Sequence, residues 1–140
     1  MIHYDIDITE NGYDNFNGSV DTIDDLREIL FYANAFPDCV GQIKTNNSTN
    51  SVLCISAVKE FGVYIGISNA SGEYLSLFDS ELLEEVVDVW GDGLLVSRGL
   101  FVPAELAWSA IEHFVVCGNP VDNIHWIRPS VVPENGNYIL

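Results

Sequence analysis

Apolar and polar residues alternate strictly at the start of the chain, with Ile2, Tyr4, Ile6 and Ile8 set against His3, Asp5, Asp7 and Thr9. A period of two predicts a strand with one buried face. Residues 11–19 read as a turn-rich loop. From Thr22 the period changes: Ile23, Leu26, Ile29, Leu30 and Ala33 recur at helical spacing. Thr22 is a side-chain cap and Asp24 and Asp25 fall in the first turn, where the helix dipole favours carboxylates, so a helix is predicted over 22–34. Phe31 and Tyr32 fall off its stripe, as second-layer core or as exposed contact residues.

After Pro37 the pattern shortens to strands over 40–45, 52–58, 61–68 and 73–78, separated by the polar turns NNSTN, KE and NASG. This predicts an antiparallel meander. If Val63, Ile65 and Ile67 share a face with Leu75 and Leu77, the turn near 69–71 holds an odd number of residues, and Gly72 suits a three-residue loop with a bulge. Residues 84–90 fit the end of a helix begun at Ser80, but Val86, Val87 and Val89 before GDG favour a strand turning into 94–97. Pro103 opens a second helix and Gly118 closes it, with Pro120 preventing continuation. Ile124, His125 and Trp126 form a last short strand. Together these elements predict one α+β domain over 1–140, a mostly antiparallel sheet of about six to eight strands with two helices packed on one face.

Charge adds a function class. Twenty-one acids face five Lys and Arg, for a formal net charge of -16. Direct binding to nucleic acid or to an anionic membrane is repulsive at such a balance, and a basic partner is favoured. The acids are also segregated. Asp5, Asp7, Glu10, Asp14, Asp21, Asp24 and Asp25 precede the first Lys or Arg, and Glu73, Asp79, Glu81, Glu84, Glu85, Asp88 and Asp92 fill a second stretch without one. Solubility needs only interspersed charge. The opening MIHYDIDITE lacks the basic start and apolar run of a signal peptide, and no stretch approaches the ~18 apolar residues of a membrane helix, so a soluble cytoplasmic protein is expected. Cys39, Cys54 and Cys117 are odd in number and widely spaced, which fits reduced thiols.

Candidate chemistry is thin. His113 and Cys117 stand four apart on the second helix, where Ala107, Ala110, Ile111, Phe114 and Gly118 make the buried face, Cys117 lies on the core edge and His113 on the polar edge. A reactive thiolate needs an electropositive setting, and the last turn of a helix in an acidic chain is the reverse. Zinc needs three or four ligands, and His3 and His125 are remote in sequence. DIDITENGYDNF lacks the Gly and Glu of a calcium loop. Asp5 and Asp7 share a strand face, which acid-base chemistry can use, but among so many acids such pairs arise by chance. Phosphate-loop, dinucleotide, nucleophile-elbow and zinc-protease signatures are absent. The expectation is a non-enzyme with no catalytic residue, metal or cofactor.

Val102-Pro103, Glu105, Ala107, Ala110, Phe114, Gly118, Pro120, Ile124 and Trp126 are the residues that carry a family likeness. In this order they resemble the closing signature of the Imm-one family of bacterial polymorphic-toxin immunity proteins: an aliphatic-Pro opening a helix, spaced Ala, then Phe, a Gly-x-Pro break and a strand ending in Trp. The order of the other elements is similar too. The likeness covers about a fifth of the chain. It departs at Asn119, where a basic residue is frequent, and at Cys117, where a small hydroxyl residue is common. The resemblance implies an antitoxin that binds a cognate toxin domain, often a nucleic-acid deaminase. The signature residues are structural, with Trp126 expected in the core.

A toxin acting on DNA or RNA carries a basic groove, which an acidic partner finds quickly and covers. The expected toxin contacts are Glu73, Glu84, Glu85, Asp88, Trp90 and Asp92, an aromatic anchor within carboxylates. The competing readings are an acidic mimic of nucleic acid that inhibits an unrelated DNA- or RNA-binding protein, a small hydrolase using His113 and Cys117, and a structural subunit of a homo-oligomer.

Overall fold

The computed structural model describes residues 1–9, 14–46, 50–88 and 95–133. Alternation makes β1 (Ile2–Ile8), whose Ile2 and Ile6 are buried while His3 and Asp5 face solvent. β1 pairs antiparallel with β2 (Asp14–Val20) from Ile2↔Val20 to Ile8↔Asp14. That pairing corrects the loop expected over 11–19 from Asp14 onward, residues 11–13 lying outside the described residues. DNFNGSV has little strand propensity, and it is held as an edge by the ladder, by Phe16 edge-on to Tyr4 at 5.7 Å, and by the Asn15 amide, which bonds both the Asp5 and Asp7 carboxylates. Pairing partners override propensity here.

β1 also pairs with β3 (Cys39–Thr45), and β4 (Val52–Val58), β5 (Gly62–Asn69) and β6 (Gly72–Leu77) continue the meander. β9 (His125–Ile127) closes the far edge, giving a seven-stranded antiparallel sheet in the order β2-β1-β3-β4-β5-β6-β9. β7 (Val86–Asp88) and β8 (Leu95–Ser97) form a separate two-stranded ribbon, so the stretch from Ser80 is a short 3-10 turn (Ser80–Leu82) followed by a strand, while residues 89 and 90 lie outside the described residues. The fold is α+β.

Both helices cover one face. α1 (Ile23–Leu30) is capped by Thr22, whose Oγ1 accepts from Asp25 N at 3.2 Å. It stops four residues short of the expected end, followed by a 3-10 turn (Tyr32–Asn34) in which Ala33 and Asn34 take left-handed φ of 56° and 60°. Phe31 is the cause. It lies about 100° off the Leu26 and Leu30 stripe, yet it is buried, stacked on Trp108 at 5.4 Å and packed on Phe36 at 4.7 Å. The chain leaves the helix to deliver it, which exposes Ala33 and Tyr32. α2 (Ala104–Cys117) begins at Pro103 and ends at Gly118, whose left-handed φ of 75° lets its N–H reach Phe114 O at 2.7 Å. Ala107, Ala110, Ile111 and Phe114 are fully buried beneath it, with Trp108 nearly so.

The opposite face carries a second, smaller core of Tyr64, Leu75, Val96, Leu100 and Phe101. The register explains it. Asn69 pairs with Gly72, so Ala70 and Ser71 make a two-residue turn and Ile67 opposes Tyr74. The three-residue loop with a bulge is therefore corrected, and with it the shared face: Val63, Ile65 and Ile67 point to the helices, whereas Leu75 points away. An even loop reverses the parity of the following strand.

Beyond Leu75 the two strands part and residues 98–102 enter the gap. Ser76 Oγ accepts Ile65 N and donates to Leu100 O, each at 2.9 Å, Val102 exchanges both backbone bonds with Val63, and Gly99 O accepts the N–H of Phe78 and of Asp79. Only glycine fits at 99, because a Cβ there would collide with Asp79 O and approach Leu83 N at 3.0 Å. Trp126 meets its expectation in part. It packs against the main core but is only half-buried, its indole N–H donating to Val121 O at 2.6 Å.

Candidate protein-binding surface

The expected contact residues divide in three. Glu84, Glu85 and Asp88 lie on one run that leaves the Leu77 end of β6, crosses the 3-10 turn and enters the ribbon, and all three are exposed. Glu73 is exposed at the other end of β6, four strand residues from Leu77 and so roughly 13 Å away along the strand. Trp90 and Asp92 lie outside the described residues.

Glu85 is engaged locally. Its carboxylate pairs with Arg98 at 2.9 Å, its backbone carbonyl accepts Arg98 N at 2.8 Å, and the guanidinium sits 5.8 Å from the Phe61 ring. Both partners are about half exposed, so the pair contributes no more than about 1 kcal/mol, and its role is to hold the ribbon's base against residues 98–102. Ser97 Oγ donates to Leu83 O at the same joint. Asp79 caps the 3-10 turn by accepting Glu81 N at 2.9 Å. Glu81 and Glu84 project from a segment fixed by backbone bonds at both ends.

An apolar centre that sequence reasoning missed stands here. Phe78, expected as the last residue of a strand, follows β6 and is 60% exposed, although its N–H is fixed to Gly99 O at 2.9 Å. Leu95 is exposed directly opposite Asp88 in the ribbon. The signal available in sequence is FDS, an aromatic immediately before a capping acid, which ends a strand and leaves its last ring without a partner strand. A rigid backbone carrying an exposed aromatic within carboxylates is the composition of an interface anchor with a polar rim.

A second acidic surface covers the bare half of the same sheet face. Asn15 Nδ2 donates to Asp5 Oδ1 at 2.8 Å and to Asp7 Oδ1 at 2.7 Å, and Asn17 Nδ2 donates to Asn15 Oδ1 at 2.9 Å. The Asp5 and Asp7 pair is thus knitted into a surface network beside Val40 and Gln42.

The thiols occupy different settings. Burial pushes the Cys39 thiol up to about 12, the Asp38 carboxylate adding to the effect and a hydrogen bond with the Ala57 backbone opposing it. Burial also raises Cys54, with Lys44 opposing. Cys117 is exposed rather than on the core edge, and its thiol turns back to His113 O at 3.4 Å. Among the described residues no three His, Cys, Asp or Glu side chains gather as metal ligands, and no helix is long and apolar enough to cross a membrane.

Searches of protein-family models, of curated proteins and of solved structures return no match to this chain.

Proposed function

We propose that the protein is an immunity protein, an antitoxin that binds a toxin domain with a basic nucleic-acid groove and neutralises it by covering that groove. The observation that carries this reading is Phe78 exposed on a rigid, acidic run with Glu81, Glu84 and Asp88, in a chain of net charge -16. The closing Pro103-to-Trp126 signature, similar to that of Imm-one proteins, supports it. The charge steers a cationic groove into encounter, and the aromatic ring supplies desolvated area once contact is made.

Steering and anchoring act on different rates. Carboxylates at the rim raise the association rate and make it fall with salt, whereas the buried ring lowers the dissociation rate. For a toxin that is a zinc deaminase, obstructing the pocket that receives the extruded base suffices, with no contact to the metal.

The test is a titration of the toxin domain encoded beside this gene, following its nucleic-acid activity, cytosine deamination included, against added protein. Loss of activity in proportion to one bound inhibitor supports the proposal. A toxin fully active in micromolar excess of inhibitor rejects it.

A further inference from the structure

The helix-covered face holds an unfilled cleft that the preceding proposal does not use. It opens between the start of α1, the start of β1 and the last turn of α2, has a volume of about 250 Å³, and is lined by Met1, Ile2, Asp21, Ile23, Thr45, Glu112, Val115 and Val116. Its walls are apolar and partly in solvent. Val116 is 77% exposed and Met1 55%, with Ile23 and Val115 half-buried against the main core. Met1 and Val116, both exposed and both lining the cleft, leave a contiguous apolar surface without a partner in the monomer.

The rim decides the occupant. Asp21 and Glu112 flank the opening, and Asp24, Asp25 and Glu28 continue the negative charge along the exposed side of α1. No Lys or Arg is among the lining residues. Arg27 is drawn over Phe31 and Trp108 and donates to Asn34 Oδ1 at 2.8 Å, while Lys44, by strand alternation, stands on the other face of the sheet. Thr45 forms part of the lining at 8% exposure, and its Oγ1 has no hydrogen-bond partner among the described residues. That hydroxyl is itself buried, so it is a cost the fold retains and not a contact offered to the occupant.

We propose that this cleft docks a basic-aliphatic segment of a protein partner: a Leu- or Ile-sized side chain inserted against Ile23, Val115 and Val116, with flanking Lys or Arg on Asp21 and Glu112. A second copy of the chain is disfavoured as occupant, because each copy carries -16 and brings the same two carboxylates to the contact. An anionic lipid surface is repelled on the same ground. The cleft is lined by Ile2, Ile23 and Val115 of the helix-covered core, whereas the ribbon's Val96 packs into the second core on the other face of the sheet, so the proposal is independent of the antitoxin reading.

The experiment uses the full chain, isotope-labelled for amide and methyl spectra, at 150 mM salt. The probe is the acetylated peptide KLKKLK, with KSKKSK as the equally charged control. The expected result is shifts confined to residues 21–23, 45 and 112–116. Binding should be about tenfold weaker for KSKKSK and for the Val116→Ser protein, the worth of one aliphatic anchor. Val116 is solvent-exposed, so an unchanged Tm for Val116→Ser shows that the loss is local. Equal binding of both peptides, shifts centred on the ribbon or on Asp5 and Asp7, or wild-type affinity in Val116→Ser would each overturn the proposal.

Discussion

The outer face of the sheet has two halves with opposite fates. Over β5 and β6 it is sealed by the ribbon and by residues 98–102, with Leu75, Val96 and Leu100 fully buried and Tyr64 edge-on to Phe101 at 5.3 Å. Over β2, β1 and β3 it is bare, and Asp5, Asp7, Asn15 and Asn17 hydrate it through a shared network. The two halves belong to one sheet and carry the same sign of charge, and β1 holds Asp5 and Asp7 on a backbone paired on both sides, but only the sealed half sets its acids around an exposed aromatic. Charge and a fixed backbone are spread widely, and the exposed apolar centre is local. That difference places the proposed toxin contact on the ribbon side.

Truncating the seal gives the largest effect. Leu100→Ala removes a side chain of zero exposure from the second core and should cost about 2–5 kcal/mol by denaturant unfolding, whereas a loss under 1 kcal/mol would mean the seal is not packed core. Alkaline unfolding comes next. The native Cys39 thiol ionises near 12 and an unfolded thiol near 8.5–9, so above the unfolded value only the unfolded state releases its proton. Stability contributed by Cys39 is complete below that value and falls as pH rises from about 9 to 12, by up to about 1.4 kcal/mol per pH unit. Cys39→Ala should show a shallower decline over that window than wild type, and parallel curves would contradict the assignment.

Phe78→Ala should weaken toxin binding at least about tenfold through a faster dissociation rate, with Tm little changed because the residue is 60% exposed. Unaltered dissociation would remove the ring from the interface. The smallest effect belongs to the bare half. Asp5→Asn with Asp7→Asn should change stability by no more than about 0.5 kcal/mol, as exposed substitutions ordinarily do, and a larger loss would reveal that the amide network holds β2 in place.

The sequence made the fold largely legible where period and burial agree. β1, the meander and α2 follow directly from alternation, helical spacing, Pro103 and Gly118. It was silent where a non-local partner decides. β2 is a strand because β1 pairs with it, α1 ends early because Trp108 and Phe36 draw Phe31 inward, and β6 faces away because two residues, not three, turn before Gly72. The site was legible as a charge run and not as a shape. Glu84, Glu85 and Asp88 fall together, Glu73 stands apart, and Phe78 was concealed as an ordinary strand residue because the parting of β5 and β6 is written in a bond from Gly99, twenty-one residues downstream. Trp90 and Asp92 lie outside the described residues, and the exposed aromatic of the described run is Phe78.

The central claim is that the ribbon side, and not charge as such, meets the partner. Its most direct test is the association rate with the neighbouring toxin domain, measured by stopped flow against ionic strength for two charge-reversed proteins, Glu84→Lys with Asp88→Lys and Asp5→Lys with Asp7→Lys. Each moves the net charge by four, from -16 to -12, so bulk electrostatics is matched. The account predicts that the first pair slows association at least about tenfold at low salt and flattens its salt dependence, while the second stays within about threefold of wild type. Equal slowing by both pairs would contradict it.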